Sequence, residues 1–157
     1  MAFRIFLSHS SRNDDYAKFI SQTLMTRGFE VFLDDYSIEP GEPIWQKIEQ
    51  WIPTADVFIL LLSKEAHDSP SVNQEIGIAL QSNVTIIPVA MEPIIPPGRI
   101  SNIRTMPLYE NPSEWLQWLS SHLDQKKSKK SEKERRVIWG IAAFIAGLWL
   151  LGGETEE

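Results

Sequence analysis

The apolar residues of positions 1–125 fall into two kinds of run that alternate along the chain. Short unbroken runs, the pattern of buried strands, lie at 3–8, 29–33, 55–63, 84–91 and, more weakly, 104–109. Runs with apolar residues three and four apart, the pattern of helices, lie at 12–28, 44–52, 69–80 and 111–124. Strands that alternate with helices predict βαβ units, and therefore an α/β fold with a parallel, doubly wound sheet. Pro88 lies inside the fourth strand run and predicts a bulge or an irregular end there.

The loops after the strands of such a sheet share one edge, where these folds bind ligands. Here that edge carries residues 8–11, 34–43 and 63–71 and those after Met91. Glu75 lies one to two turns into the helix that follows, close enough to face the same crevice. The helix dipole alone also favours a Glu near a helix N-terminus, so a purely structural role stays open at this point.

The C-terminal segment divides into a basic run and an uncharged apolar run. Residues 126–136 contain seven Lys or Arg and two Glu, and residues 137–153 contain no charged side chain. A helix of that length spans about 26 Å, near the lower limit for crossing a bilayer. Trp139 and Trp149 lie towards its two ends, where indoles prefer the membrane interface. We therefore predict a transmembrane helix at 137–153, preceded by a polybasic juxtamembrane linker and followed by an acidic tail at 154–157. A buried C-terminal helix of the globular domain is the alternative.

The flanking charges predict an orientation for this anchor. The basic run at 126–136 directly precedes the apolar segment, whereas the other flank holds only acidic charges. By the positive-inside rule, the chain is expected to be a single-pass protein whose domain at 1–125 lies in the cytosol. The basic run is also expected to contact anionic lipid headgroups.

Composition excludes several kinds of chemistry. The chain has no cysteine, so disulfides and metal–thiolate sites are ruled out. Its histidines, His9, His67 and His122, lack the spacing of metal ligands, and we expect no metal site. Residues 1–125 contain 8 Lys or Arg against 16 Asp or Glu, and such an acidic domain has no electrostatic footprint for nucleic acid.

Four motifs within residues 1–125 together resemble one family. They are "FLSHSSRND", "VFLDDYSIEPGEPI", "ADVFILLLS" and "SPSVNQEIGIAL", in that order along the chain. Their order and spacing are similar to those of TIR (Toll/interleukin-1 receptor) domains, and especially to the bacterial branch. The resemblance implies a flavodoxin-like, five-stranded parallel sheet, which agrees with the pattern of strands and helices.

The resemblance also implies a site. The third family helix opens with Ser-x-Trp-x-x-x-Glu, whose Glu is catalytic in members that cleave NAD; Ser69 and Glu75 match the motif, and Ser71 stands in place of the Trp. The loop after the second strand (the BB loop) begins with acidic residues and contains a glycine, matched by Asp34, Asp35 and Gly41. Residues expected to bind substrate are Phe6, His9, Ser10, Asp34, Tyr36, Ile38, Gly41, Ser69 and Ser71. For His9 a loop or capping role is an alternative, and Asp34 could instead only shape its turn.

One carboxylate is enough for the implied reaction. Breaking the nicotinamide–ribose bond of NAD+ leaves an oxocarbenium-like ribose, and nicotinamide departs as a neutral molecule that needs no acid. Glu75 would stabilise the developing positive charge, with NAD+ as substrate and no cofactor. Attack by water would give ADP-ribose, and attack by a group of the adenosine part would give a cyclic product; the sequence does not separate the two.

Two classes of function follow from the resemblance. The first is a membrane-anchored NAD+ nucleosidase, hydrolase or cyclase, of the bacterial inner membrane that acts in anti-phage immunity. The second is a non-catalytic TIR–TIR interaction module tethered to the membrane. Expected partners are NAD+, other TIR domains through TIR surfaces and the BB loop, membrane lipid, and in the case of messenger synthesis a nucleotide-sensing effector.

Overall fold

A computed structural model describes residues 2–33, 41 and 43–152, with side chains as far as Phe144. Contacts divide the chain into two compact units, residues 2–119 and the C-terminal segment from Ser120. The first unit is built on a five-stranded sheet whose described pairs are all parallel. The strands are β1 (Arg4–Ser8), β2 (Glu30–Leu33), β3 (Val57–Leu62), β4 (Thr85–Ala90) and β5 (Met106–Pro107). Their spatial order, β2-β1-β3-β4-β5, confirms the predicted doubly wound sheet.

α-Helices lie between β1 and β4 and after β5, most of them beginning at nearly the predicted positions. They are α1 (Asp14–Thr26), α2 (Ile44–Trp51), α3 (Lys64–Asp68), α4 (Pro70–Gln81) and α5 (Pro112–Gly152). Short 3₁₀ turns lie at Ser11–Asn13, Ile52–Thr54 and Gly98–Ile100. The five-residue helix α3 was not predicted, because one turn is too short to show a helical period.

Local signals place the ends of the helices. α1 carries Asp14 and Asp15 in its first turn, as predicted, and the chain leaves it through Gly28, whose φ of 80° favours glycine. α4 begins after Ser69, whose hydroxyl accepts a hydrogen bond from the backbone N–H of Val72. Pro70 follows as the first helical residue, where the missing N–H costs no helical hydrogen bond.

The core of the first unit surrounds the central strand β3, all of whose residues are buried. Three rings stack across the neighbouring strands: Phe6 lies 5.2 Å from Phe32 and 5.4 Å from Phe58 between ring centroids. Helices cover both faces of such a parallel sheet, which explains why its strands read as continuous apolar runs.

Neither the bulge nor the irregular end predicted at Pro88 is present in the pairing of β3 with β4. β3 and β4 pair one-to-one from Val57↔Thr85 to Leu62↔Ala90, and Pro88 lies within that register opposite Leu60. The reason is that β5 pairs with Val89 and Ala90, and no other strand among the described residues lies beside Pro88 on that side. A proline is tolerated where one side of a strand is unpaired.

Helix α5 is longer than the helix predicted at 111–124. α5 continues without interruption through residues 126–136, because Lys, Glu and Arg are strong helix formers, and Glu132 pairs with Arg136 one turn later at 2.6 Å. Among the residues the structure describes, no helix is long and apolar enough to cross a bilayer. The predicted transmembrane helix at 137–153 extends beyond the described side chains and stays a prediction; residues 137–152 continue α5. The predicted acidic tail at 154–157 lies outside the described residues.

Candidate active site

A cavity of about 320 Å³ lies at the carboxyl ends of β1 and β3, beside the first two turns of α4. The loop after β1, helix α3 and the start of α4 form its wall, as expected for adjacent strands of a parallel sheet. The lining residues are His9, Ser10, Ser11, Glu65, Ser69, Ser71, Val72 and Glu75. The wall is therefore mainly polar, with two carboxylates and several hydroxyls.

Glu75 is the buried acid of this cavity. It lies in the second turn of α4 and is only 3% exposed, although it lines the cavity. The hydroxyl of Ser8, the last residue of β1, donates a hydrogen bond of 2.5 Å to its Oε2. A carboxylate is costly to bury unless hydrogen bonds replace its water. The hydrogen bond from Ser8 thus holds the Glu75 carboxylate at the cavity wall.

Hydrogen bonds order the loop that follows β1. Nε2 of His9 lies 3.2 Å from Oδ1 of Asp14, at the start of α1. The Ser10 hydroxyl donates to Oδ1 of Asn13 at 3.0 Å and lies 3.4 Å from the Ser63 hydroxyl. These contacts tie the loop to α1 and to the end of β3.

An ion pair joins two sides of the cavity. Arg12 Nη1 donates to Glu65 Oε1 at 2.5 Å, between the turn after β1 and helix α3. The pKa of Glu65 is lowered, first by a hydrogen bond from its backbone and then by hydrogen bonds from Arg12 and the Ser63 hydroxyl. Glu65 is thus held in its charged form at the cavity wall. In the described part of the chain, no cluster of three or more His, Asp or Glu could hold a metal ion.

Comparison with known proteins identifies the family of this chain. The sequence profile of the TIR domain matches residues 5–119. This chain belongs to the TIR domain family. A curated relative, the 2' cyclic ADP-D-ribose synthase BtTIR of Bacteroides thetaiotaomicron, is 29% identical over 62 residues. That match covers 39% of this chain and 22% of the relative, so the chain spans about a fifth of the relative's length.

Solved structures of similar fold include receptors and an enzyme. The TIR domain of the Toll-related receptor TRR-2 from Hydra magnipapillata gives a TM-score of 0.66 at 15% identity, covering 76% of this chain and 95% of that one. The CMP N-glycosidase BcmB from Clostridium botulinum gives a TM-score of 0.57 at 23% identity, covering 76% of this chain and 98% of that one. At such identities these likenesses show the TIR fold alone.

The TIR fold brings together part of the predicted site. His9, Ser10, Ser69, Ser71 and Glu75 all line the one cavity. What they bind stays a prediction at this point. The side chain of Ser71 contributes a hydroxyl to the wall where the family motif has an indole.

Other predicted residues lie elsewhere. Phe6 was predicted to bind substrate, but its ring is fully buried in the core and does not line the cavity. Gly41 does not line it either, and its φ of 94° shows a turn that favours glycine. Asp34, Tyr36 and Ile38, predicted on the BB loop, lie outside the described residues.

Sequence reasoning missed Glu65, which lines this cavity, and Ser8 and Arg12, which bond the two carboxylates in its wall. Ser8, Arg12 and Glu65 come to it through contacts that join positions 53 or 67 residues apart. The one available signal was the position of Ser8, a polar residue at the end of an otherwise apolar strand run.

Proposed function

We propose that this TIR domain cleaves the nicotinamide–ribose bond of NAD+, with the Glu75 carboxylate as its catalytic group. The observation that carries the proposal is a buried, hydrogen-bonded carboxylate in the wall of a polar cavity at the ligand-binding edge of the sheet. The relative BtTIR, named as a cyclic ADP-ribose synthase, supports a nucleotide of this class as substrate.

The carboxylate acts on charge that develops only in the transition state. As the bond to nicotinamide lengthens, positive charge grows on the ribose, and a fixed negative group beside it lowers the barrier. Two unit charges about 4 Å apart at an effective dielectric constant near 20 attract by about 4 kcal/mol. That energy corresponds to about a thousandfold in rate. A single carboxylate therefore supplies a large share of the acceleration that the site needs.

The size of the cavity limits what it encloses. Ligand pockets commonly measure about 300 to 1,000 Å³, and the 320 Å³ found here lies at the lower end. It suits the nicotinamide and ribose that react better than the whole dinucleotide. The acceptor of the ribose is water in a hydrolase and a group of the adenosine part in a cyclase, and the mass of the product distinguishes the two.

The test is turnover of NAD+ by the full chain, both in dilute solution and crowded on beads, with products resolved by mass spectrometry. Glu75→Gln keeps the shape of the side chain and removes its charge, and we expect nicotinamide release to fall about a thousandfold. Glu65→Gln is the matched comparison, because it removes the other carboxylate of the same cavity. We expect it to lose less than about tenfold, since Arg12 already pairs with that carboxylate. CMP belongs in the substrate panel because the glycosidase of similar fold is named for it.

The second candidate function is an interaction module without catalysis. Ser71 supports it, because a hydroxyl at this place in the cavity wall offers no aromatic face for stacking on a base. Exposed apolar side chains on α1, Phe19 and Met25, offer a surface for self-association. If the full chain assembles in sedimentation experiments but releases no nicotinamide even on beads, this function replaces the first.

Membrane location and a role in anti-phage immunity stay predictions from the sequence. Fractionation of cells that express the full chain tests the location, and survival of phage-infected cells with wild-type or Glu75→Gln protein tests the role. Equal survival of the two would remove catalysis from any such defence.

A further inference from the structure

We propose that Ser8 is a positioning residue that fixes the orientation of the Glu75 carboxylate for catalysis. The inference rests on the proposed function and adds a residue to its machinery. Its observation is a hydrogen bond of 2.5 Å between two side chains from different elements, both almost fully buried: Ser8 is 1% exposed and Glu75 3%.

Ser8 reaches the reaction only through Glu75. The lining of the cavity includes Glu75 but not Ser8, so the serine hydroxyl lies behind the carboxylate as seen from a bound ligand. An effect of Ser8 on turnover would therefore be transmitted by the direction in which the carboxylate points. Direct contact between Ser8 and substrate is not part of the proposal.

The backbone on both sides of this hydrogen bond is well held. Ser8 ends β1, which lies between β2 and β3 in the sheet, and pairs with Leu60 in the ladder. On the other side, the Asn73 amide donates to the carbonyls of His67 and Ser69 at 2.9 Å each, which anchors the start of α4. A hydroxyl on an interior strand and a carboxylate on an anchored helix thus meet at a defined place.

A hydrogen bond of this kind does more than offset the free-energy cost of burying the carboxylate. A donor to a carboxylate is about twice as strong as a bond between neutral groups, and it selects one rotamer of a side chain that otherwise has three rotatable bonds. Misplacing a reacting group by about 1 Å can cost about a hundredfold in rate. We therefore expect loss of the Ser8 hydroxyl to lower kcat about a hundredfold and to change KM less than about threefold.

A merely structural role for Ser8 gives a different result. If its hydroxyl served only to satisfy a buried carboxylate, its loss would lower stability without slowing turnover by the protein that remains folded. Ser21→Ala is the matched control, because Ser21 is also a buried serine, 3% exposed, on helix α1 and outside the cavity wall. We expect Ser21→Ala to keep kcat within about twofold of wild type.

The experiment measures kcat, KM and thermal unfolding for the full chain carrying Ser8→Ala, Ser8→Thr, Ser21→Ala or Glu75→Gln. Support consists of a large fall in kcat for folded Ser8→Ala at nearly constant KM, with recovery to within about tenfold of wild type in Ser8→Thr. If Ser8→Thr unfolds because its added methyl group does not fit, Ser8→Cys, which keeps a weak donor of similar size, takes its place.

Two results would overturn the inference, and they are distinguishable. If Ser8→Ala keeps kcat within about threefold of wild type while Glu75→Gln is inactive, Ser8 does not position the carboxylate and the proposed function stands. If Glu75→Gln itself turns over at the wild-type rate, or wild type releases no nicotinamide, the proposed function fails and the inference fails with it.

Discussion

Phe6 offers a direct test of the division between core and site. Its ring lies in a stack between Phe32 and Phe58, at centroid distances of 5.2 and 5.4 Å, and is fully buried. Each such ring pair contributes about 0.5–1.5 kcal/mol beyond the area it buries. Phe6→Leu keeps an apolar side chain but removes both pairs, so we expect it to lower the free energy of unfolding by about 1–3 kcal/mol.

A matched substitution makes the expectation quantitative. Phe58 has one of these stacking contacts, with Phe6, on the next strand of the same sheet. Phe58→Leu should therefore cost about 0.5–1.5 kcal/mol, half as much as Phe6→Leu. For a domain of this size 1 kcal/mol shifts Tm by about 4 °C, so thermal unfolding followed by circular dichroism should show falls of about 4–12 °C and 2–6 °C.

Turnover of NAD+ by the same variants separates the two roles of Phe6. A core residue changes stability and leaves KM for NAD+ within about twofold at a temperature where the variant is folded. If Phe6→Leu instead raised KM tenfold or more with an unchanged Tm, the ring would contact substrate, and the assignment of Phe6 to the core would be refuted.

Three further predictions concern single contacts. Ser69→Ala removes the N-cap of α4 and should lower the free energy of unfolding by about 1 kcal/mol in urea titration; no change would show that the cap is dispensable. Gly77→Ala should raise the free energy of unfolding by about 0.5–1 kcal/mol, because the new methyl group would contact only the flexible Arg99 guanidinium, at 3.1 Å. A lower free energy of unfolding would mean that the Arg99 side chain cannot move aside. Arg12→Gln should raise the pKa of Glu65 towards its ordinary value of 4.5, as measured by NMR titration. Because the pKa of Glu65 is lowered in the folded state, its ionised carboxylate stabilises the fold above pH 4.5, and this stabilisation is lost as pH falls through the folded-state pKa. An unchanged titration of Glu65 in Arg12→Gln would contradict the ion pair.

The order and type of most elements could be predicted from the sequence, because hydrophobic period is a local property. The unbroken apolar runs became β1 to β4, and the helical spacing at 69–80 became α4, which begins after Ser69. Parallel topology then follows from the alternation of strands and helices. The edge of the sheet that carries the cavity, and the presence of Glu75 near it, were predictable on the same grounds.

Local pattern was less informative at the C-terminus. The last helix was predicted to end near 124, yet α5 continues through the charged run at 126–136, because charge alone does not break a helix and Lys, Glu and Arg have high helix propensity. The apolar segment that follows prolongs this helix to Gly152.

The tertiary structure alone decided which predicted residues line the cavity and which distant side chains bond them. Phe6 and Ser8 lie on the same strand, two positions apart. The hydrophobic period of the sequence does not distinguish the Phe6 ring, which packs in the core, from the Ser8 hydroxyl, which donates a hydrogen bond to Glu75. The hydrogen bond from Ser8 to Glu75 joins residues 67 positions apart, and the ion pair of Arg12 with Glu65 joins residues 53 apart. Sequence period reports which side of an element is buried. Which side chain from a distant part of the sequence contacts that buried side depends on how the sheet and helices pack, and this packing is a property of the folded chain.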